Sequence, residues 1–470
     1  MNIANHSNSI TENAQQTLEK AMIDHQGSSV GIAAACDAKE QALNYDQCFT
    51  RDFAVAALAL LMQGKTEIVR NFLTQMVELQ NCRKQMDCFQ PGQGLMPASF
   101  KVEGEKIIPD FGESAIARVA PVDSCFWWLF ILRAYVKATD DWRLVQQPEF
   151  QNAIRLILDL YLTARFEMLP TMLVPDGSFT IDRRMGVYGH PLDIQALFYM
   201  ALRSAEELLP ASPDNDPCLQ AARVGRRPSR RHRVNHLTYH IRQYYWLNLS
   251  RLNEIHRYNV EEYGESAINK FNIYPDTIPD WLIAWLPENG GYFVGNLGPG
   301  RIDYRFFTQG NLMAIITSLA NESQSQRIMD LLEQRWSDLV GQMPMKLCFP
   351  ALEGQDWRTL TGSDPKNVPW SYHNGGSWPF LLWLLAAAAQ KTGRTHLATQ
   401  ALDLARERLP NDQWPEYYDS RNGRLIGRQA RKFQTWTIAG FLSAESLLEN
   451  PKHLQLVSFP EEAMALACFA

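Results

Sequence analysis

Long apolar runs are missing from this chain. The longest, Pro379–Ala389, falls far short of the ~20 residues a membrane-spanning helix needs. The stretch from Met1 to Gln26 is polar, carries both charge signs and has no apolar core, so it does not read as a secretory signal. Eight cysteines are present, but there is no Cys-x-x-Cys and no Cys beside a His at metal-ligand spacing. They read as reduced structural thiols, because a chain of 470 residues does not need stapling. Dinucleotide, Walker, His-Glu-x-x-His and Gly-x-Ser-x-Gly motifs are all lacking, so nothing points to a nucleotide cofactor, a catalytic metal or a serine hydrolase. No cofactor and no metal are therefore expected. An excess of positive charge is lacking too. With 45 basic and 51 acidic residues the net charge is −6, which gives no general attraction for nucleic acid or an anionic membrane. No repeat of fixed period appears, which argues against a solenoid. Strand patterns are few and short: Ile107–Pro109, Ser178–Ile181 and Tyr292–Val294.

Helical periodicity fills the rest. Apolar residues recur at helical spacing over Arg51–Leu61, Thr66–Leu79, Asp123–Ala138, Ala153–Phe166, Asp193–Leu208 and His236–His256. They do so again over Gly310–Leu319, Ser325–Trp336, Gly376–Ala389, Arg394–Arg408 and Gln434–Leu448, with weaker segments near 12–24 and 260–270. Helices of similar length, joined by alternately short and long connections, suggest a helical toroid of nested hairpins. A two-layer bundle with a separate domain is the alternative. One stretch is out of character: Arg223–Arg233 holds six arginines in eleven residues, broken by Gly and Pro. It reads as a solvated excursion, since nothing else in the chain supports nucleic-acid binding.

Chemistry-bearing residues sit in the connections, just before helices. Arg51 and Asp52 open one helix, and Asp123 follows Pro121 at the start of another. Asp182, Arg183, Arg184, His190 and Asp193 lie in IDRRMGVYGHPLD; His373, Asn374 and Trp378 in SYHNGGSW; Glu416 in WPEYYD; and Gln434 opens the last long helix. Glu113, Asp303 and Asp364 stand in similar positions. In a toroid these helix ends share one rim, so the carboxylates among them, Asp52, Glu113, Asp123, Asp182, Asp303, Asp364 and Glu416, are expected to line one cavity. Single carboxylates before helices are often only caps, and Asp52, Asp123 and Asp193 can be read that way. Asp182 and Glu416 are harder to dismiss, because neither precedes a helical pattern directly. Two carboxylates across a pocket can divide glycoside hydrolysis, one protonating the leaving oxygen and the other activating water or attacking directly. Aromatic faces can cover the apolar faces of a sugar, while Arg, Asn and His read its hydroxyls. The arginines after Asp182 would hold it ionised, so an acid role there requires burial or a second carboxylate.

The runs IDRRMGVYGHPLDIQALFYMALR, NKFNIYPDTIPDWL, DYRFFTQGN, TGSDPKNVPWSYHNGGSWP and WPEYYDSRNGRLIGRQARKFQTWTIAGFL resemble those of the alkaline/neutral invertases, glycoside hydrolase family 100. The resemblance spans Tyr45 to Pro451, with the short N-terminus of the family's cyanobacterial members. It implies an all-α (α/α)6 barrel with the active site at one end. It also implies sucrose as the small-molecule substrate, inverting hydrolysis to glucose and fructose, no cofactor and residence in the cytoplasm. The expected boundaries are an N-terminal extension with the first helix over 1–40, the barrel over 41–455 and a tail over 456–470. Carried onto the matching motifs, the general acid is Asp182 and the general base Glu416. In an inverting enzyme they would stand about 6.5–9.5 Å apart. Asp193 occupies a place that plant relatives commonly fill with Glu. Arg51, Asp52, Asp123, Arg183, Arg184, His190, Asp193, His373, Asn374, Trp378 and Gln434 are the expected substrate-binding residues. No nucleic acid or membrane partner is expected, and a homo-oligomer is. The rival readings are a glycosidase for another disaccharide such as trehalose or maltose, a sugar epimerase using His190 and His373, and a non-catalytic sugar-binding protein.

Overall fold

A computed structural model of the chain describes residues 2–36, 44–83, 92–113, 121–162, 170–174, 179–181, 183–210, 230–257, 275–298 and 301–461. Asp182, the side chain of Arg183, most of the Arg-rich stretch and the segment near 260–270 lie outside them. Twelve of the described helices build the barrel: α1 (Asn2–Glu19), α2 (Thr50–Met62), α3 (Thr66–Leu79), α4 (Ser124–Thr139), α5 (Pro148–Tyr161), α6 (Leu192–Leu208), α7 (Arg230–His240), α8 (Thr308–Ile316), α9 (Glu322–Gln334), α10 (Leu382–Lys391), α11 (Thr395–Arg408) and α12 (Thr435–Glu449). The even-numbered helices form a closed ring. α2 packs on α4, α4 on α6, α6 on α8, α8 on α10, α10 on α12, and α12 back on α2. Odd-numbered helices lie outside: α1 and α11 against α12, α3 against α2 and α4, α5 against α3, α7 against α6, α9 against α8.

The sequence sorts the two layers. An inner helix is covered on all sides and must be apolar all round. α2 reads TRDFAVAALALLM, with every residue after Asp52 buried, and α4 is buried continuously from Ser124 to Val136. An outer helix needs only one apolar stripe. In α9 that stripe is Ile328, Met329, Leu331 and Leu332, and Asn321 and Gln324 close a capping box at its start. α1, the first helix expected within 1–40, packs on α12 as an outer helix.

The starts of the inner helices gather at one end of the ring and their last turns at the other. There the tail packs across the barrel floor. Leu456, Val457 and Phe459 are buried, and Lys391 Nζ donates to the Phe459 carbonyl at 2.8 Å. Arg133 donates to the Leu456 and Ser458 carbonyls and lies 3.7 Å over the Phe459 ring. The site end is therefore the open one.

Short strands edge the barrel: β1 (Met22–His25), β2 (Ser28–Ile32), β3 (Cys48–Phe49), β4 (Ser99–Glu103), β5 (Lys106–Asp110), β6 (His190–Pro191), β7 (Trp246–Asn248), β8 (Gly291–Gly298), β9 (Arg301–Phe307) and β10 (Cys348–Phe349). β3, β4 and β5 form one sheet; β10, β9, β8 and β6 form another, with β7 on β8. The helix expected over His236–His256 is broken. It stops at His240, passes through a π turn and becomes β7, because Trp246 pairs with Phe293 on β8. Residues 179–181 are not in a strand, and the rest of Ser178–Ile181 lies outside the described residues. Among the described residues no helix is long and apolar enough to cross a membrane.

Candidate active site

A cavity of about 170 Å³ opens among the inner-helix starts. α2 brings Arg51 and Asp52; the approach to α4 brings Pro121 and Asp123; the loop before α10 brings Tyr372, His373 and Trp378; the approach to α12 brings Glu416 and Gln434, and its first turn Trp436. Asn44, Tyr45 and Thr180 complete much of the wall. Of the sequence-predicted residues, Arg51, Asp52, Asp123, His373, Trp378, Glu416 and Gln434 meet here.

Asp123 stands at the N-cap position of α4, but its side chain makes no capping bond. Its carboxylate instead accepts from Arg51 twice, Nε at 2.6 Å and Nη2 at 3.1 Å, and from Trp127 Nε1 at 3.2 Å. Such a two-point pair fixes the guanidinium plane. Asp52 is left to Gln434, whose Nε2 donates to its Oδ2 at 3.3 Å. Burial pushes the Asp52 carboxyl up to about 7, with nearby Glu416 and Asp123 adding to the effect and Arg51 opposing it. Gln434 Oε1 and Thr180 Oγ1 are buried with no hydrogen-bond partner among the described residues, acceptors that a sugar hydroxyl could satisfy.

Glu416 is 4% exposed. Tyr45 Oη donates to its Oε1 at 3.0 Å, and the Arg431 backbone N–H approaches Oε2 at 3.5 Å. Burial raises the Glu416 carboxyl above its ordinary range, while Lys366, the Tyr45 hydroxyl and Arg431 pull it down. The backbone around it is strained. Tyr372, Gln413, Trp414 and Phe433 adopt φ of 47°, 64°, 52° and 52°. Non-glycine residues held there cost energy, and such strain concentrates at functional sites. Aromatic packing holds the loops in place: Trp378 stacks on Tyr417 at 5.2 Å, Tyr372 on His373 at 3.8 Å, and Trp436 on Phe380 at 4.0 Å.

Several expected residues lie elsewhere. Asp193 does not line this cavity: it is fully buried between α6 and α8, where Oδ1 accepts from the Gly310 N–H at 2.7 Å. A Cβ at Gly310 would sit 2.7 Å from that oxygen, so only glycine lets the helices approach this closely. Asn374 is likewise spent on backbone; it accepts from Leu352 N–H and donates to the Leu352 and Asn367 carbonyls. Arg184 pairs with Asp364 at 2.9 Å, outside the cavity wall. His190 is half-buried on β6 and not in the wall, so it does not share this cavity with His373. Burial lowers its pKa, as expected for an imidazole with little water around it. Asp303 forms a buried pair with Arg305 and lines a separate cleft of about 1000 Å³, and Glu113 accepts from the Phe111 N–H in another pocket. The single cavity expected for all seven carboxylates thus holds Asp52, Asp123 and Glu416 among those described. Tyr45, Thr180 and Trp436 were missed, because nothing in their local sequence marks them as chemistry-bearing. Among the described residues no three His, Cys, Asp or Glu side chains are grouped to hold a metal.

Asp193 gives a pH prediction. Burial pushes its carboxyl from 3.8 up to about 7. A group whose folded pKa is raised lends stability below its unfolded pKa and loses it as pH climbs through the folded one. Asp193→Asn has no such titration. The variant should therefore gain on wild type between pH 4 and pH 8, read as the difference in Tm at each pH. A difference that stays constant across this window would disconnect the carboxyl from folding.

The alkaline and neutral invertase family matches residues 14–451. Cytosolic invertase 1 of Oryza sativa subsp. japonica is 53% identical over 460 residues, covering 96% of this chain and 80% of that protein. Alkaline/neutral invertase CINV1 of Arabidopsis thaliana is 52% identical over 458 residues, covering 96% and 82%. Among solved structures, a GH63 mannosylglycerate hydrolase from Thermus thermophilus, in complex with Tris and D-glycerate, aligns with a TM-score of 0.55 at 12% identity, covering 92% of this chain and 99% of that one. At that identity the likeness speaks for the shared (α/α)6 barrel fold.

Proposed function

The chain belongs to the alkaline and neutral invertases, and we propose that it hydrolyses sucrose to glucose and fructose by inversion, with Glu416 as general base and Asp182 as general acid. The observation that carries the proposal is Glu416: a buried carboxylate on the wall of a sugar-sized cavity, with Tyr45 bonded to one oxygen. At about 170 Å³ the cavity is smaller than the ~300–1,000 Å³ that encloses drug-sized ligands, so it suits one sugar ring with the second outside. Asp52, Gln434 and the Arg51–Asp123 pair would read hydroxyls, and Trp378, Trp436 and Tyr372 would cover the apolar ring faces.

Asp182 lies outside the described residues. Its assignment is supported by the IDRRMG motif and by Thr180, two residues earlier, which lines the cavity. Arg184 is engaged with Asp364, so one of the two following arginines has a carboxylate of its own to neutralise. The cytoplasm is the compartment this reading assigns, on the strength of the rice relative's name.

The test is sucrose hydrolysis in ¹⁸O-labelled water, followed by NMR and mass spectrometry at early times. The expected first product is a sugar of inverted configuration carrying the label at the attacked anomeric carbon. A first-formed product of retained configuration would overturn the inverting assignment, and binding without release of glucose would overturn the enzyme.

A further inference from the structure

Tyr45 is 371 residues from Glu416 in sequence, yet the two are hydrogen-bonded in the cavity wall. Its placement is not accidental packing. The Tyr45 carbonyl accepts from the Ala35 N–H, and Ala35 bridges Gln434 as a short antiparallel pair. Neighbouring bonds run from Cys36 N–H to the Phe433 carbonyl and from Thr435 N–H to the Ala34 carbonyl. On the other side, Glu416 N–H donates to the Arg431 carbonyl at 2.7 Å, and the Arg431 guanidinium lies 5.2 Å over the Tyr45 ring. The ring and the carboxylate thus hang from one backbone frame.

We propose that Tyr45 is a positioning residue for the general base: its hydroxyl occupies Glu416 Oε1 and leaves Oε2 to take the proton from the attacking water. The inference rests on Glu416 being the base. Oε2 receives a long 3.5 Å approach of the Arg431 N–H, which leaves a lone pair for water. Burial and the nearby Glu416 charge hold the Tyr45 hydroxyl protonated far above neutral pH, so it acts as a donor throughout the working range. A donor to the charged form also keeps a buried carboxylate ionised, as a base must be. Other charged or titratable groups around Glu416 are Asp52 on α2, Lys366 and His373 before α10, and Arg431 and Tyr417 on its own approach.

Tyr45→Phe keeps the ring and its contact with Arg431 while removing the hydroxyl. The expected result is a kcat lower by ~10-fold or more, a KM within about two-fold, and an acidic limb of kcat/KM moved up by ~1 pH unit. A ring that merely walls the pocket would raise KM and leave the limb in place, and that outcome overturns the proposal. So does a variant whose kcat and pH profile match wild type. If Tyr45→Phe does not fold, a difluorotyrosine at position 45 keeps the shape and donates more strongly; the limb should then move down, and a limb that stays put overturns the proposal equally. Glu416→Gln in the same assay separates the two claims. Full activity there would remove the base itself, whereas an inactive Glu416→Gln beside a silent Tyr45→Phe would remove only the positioning role.

Discussion

Glu416→Gln should leave a protein that binds sucrose but turns it over roughly 10²–10⁴-fold more slowly, the usual worth of a positioned acid or base. The amide keeps the size of the side chain and an oxygen that accepts from Tyr45 Oη, so the 3.0 Å contact and the loop around it have no reason to move. What disappears is the ability to take a proton from water. KM should therefore stay close to wild type, and kcat and kcat/KM should fall together, the mark of an interaction made only in the transition state. An inverting base never bonds to the sugar. Added azide should then give weak rescue at most, by direct attack from the face where water stood, and the glycosyl azide should have inverted configuration. A covalent sugar trapped on Glu416 in the wild-type enzyme would make this carboxylate a nucleophile and end the assignment.

The parts of this fold that were legible in sequence are those decided locally. AVAALALL in α2 and the run Cys125–Leu132 in α4 are apolar on every face, which only an inner helix tolerates. The gathering of Arg51, Asp52, Asp123 and Gln434 was legible for a related reason: each stands at the start of such a helix, and a closed ring brings those starts together. What stayed hidden was decided by distant partners. Trp246–Asn248 sits inside a helical pattern and becomes a strand because β8 offers it an edge. Asp193 lies in a motif rich in site residues, but its partner is a glycine 117 positions away on the next inner helix. Asn374 looks like a hydroxyl reader and is consumed by the Leu352 and Asn367 backbone. Tyr45 has the converse history. Its local sequence is unremarkable, and the Ala35–Gln434 bridge with its neighbouring backbone bonds carries it to Glu416.

Asp182→Asn should lower sucrose turnover by at least ~10²-fold, because a sugar alkoxide is a poor leaving group unless it is protonated as the bond breaks. The loss should depend on the leaving group. A glycosyl fluoride of the sugar held in the cavity departs without a proton, so its hydrolysis should survive the substitution far better than that of sucrose, while Glu416→Gln should damage both. The pH profile gives an independent reading. A general acid works only while protonated, so wild-type kcat/KM should fall above the pKa of Asp182, and the residual rate of Asp182→Asn should lack that descent. Sucrose turnover within a few-fold of wild type would remove Asp182 from the mechanism. Suspicion would then pass not to Asp193, which is sealed against Gly310, but to Asp52. It lines the same cavity as Glu416, and burial lets it hold a proton up to about pH 7. In that case Asp52→Asn should abolish the reaction that Asp182→Asn spared, with the same indifference toward the fluoride.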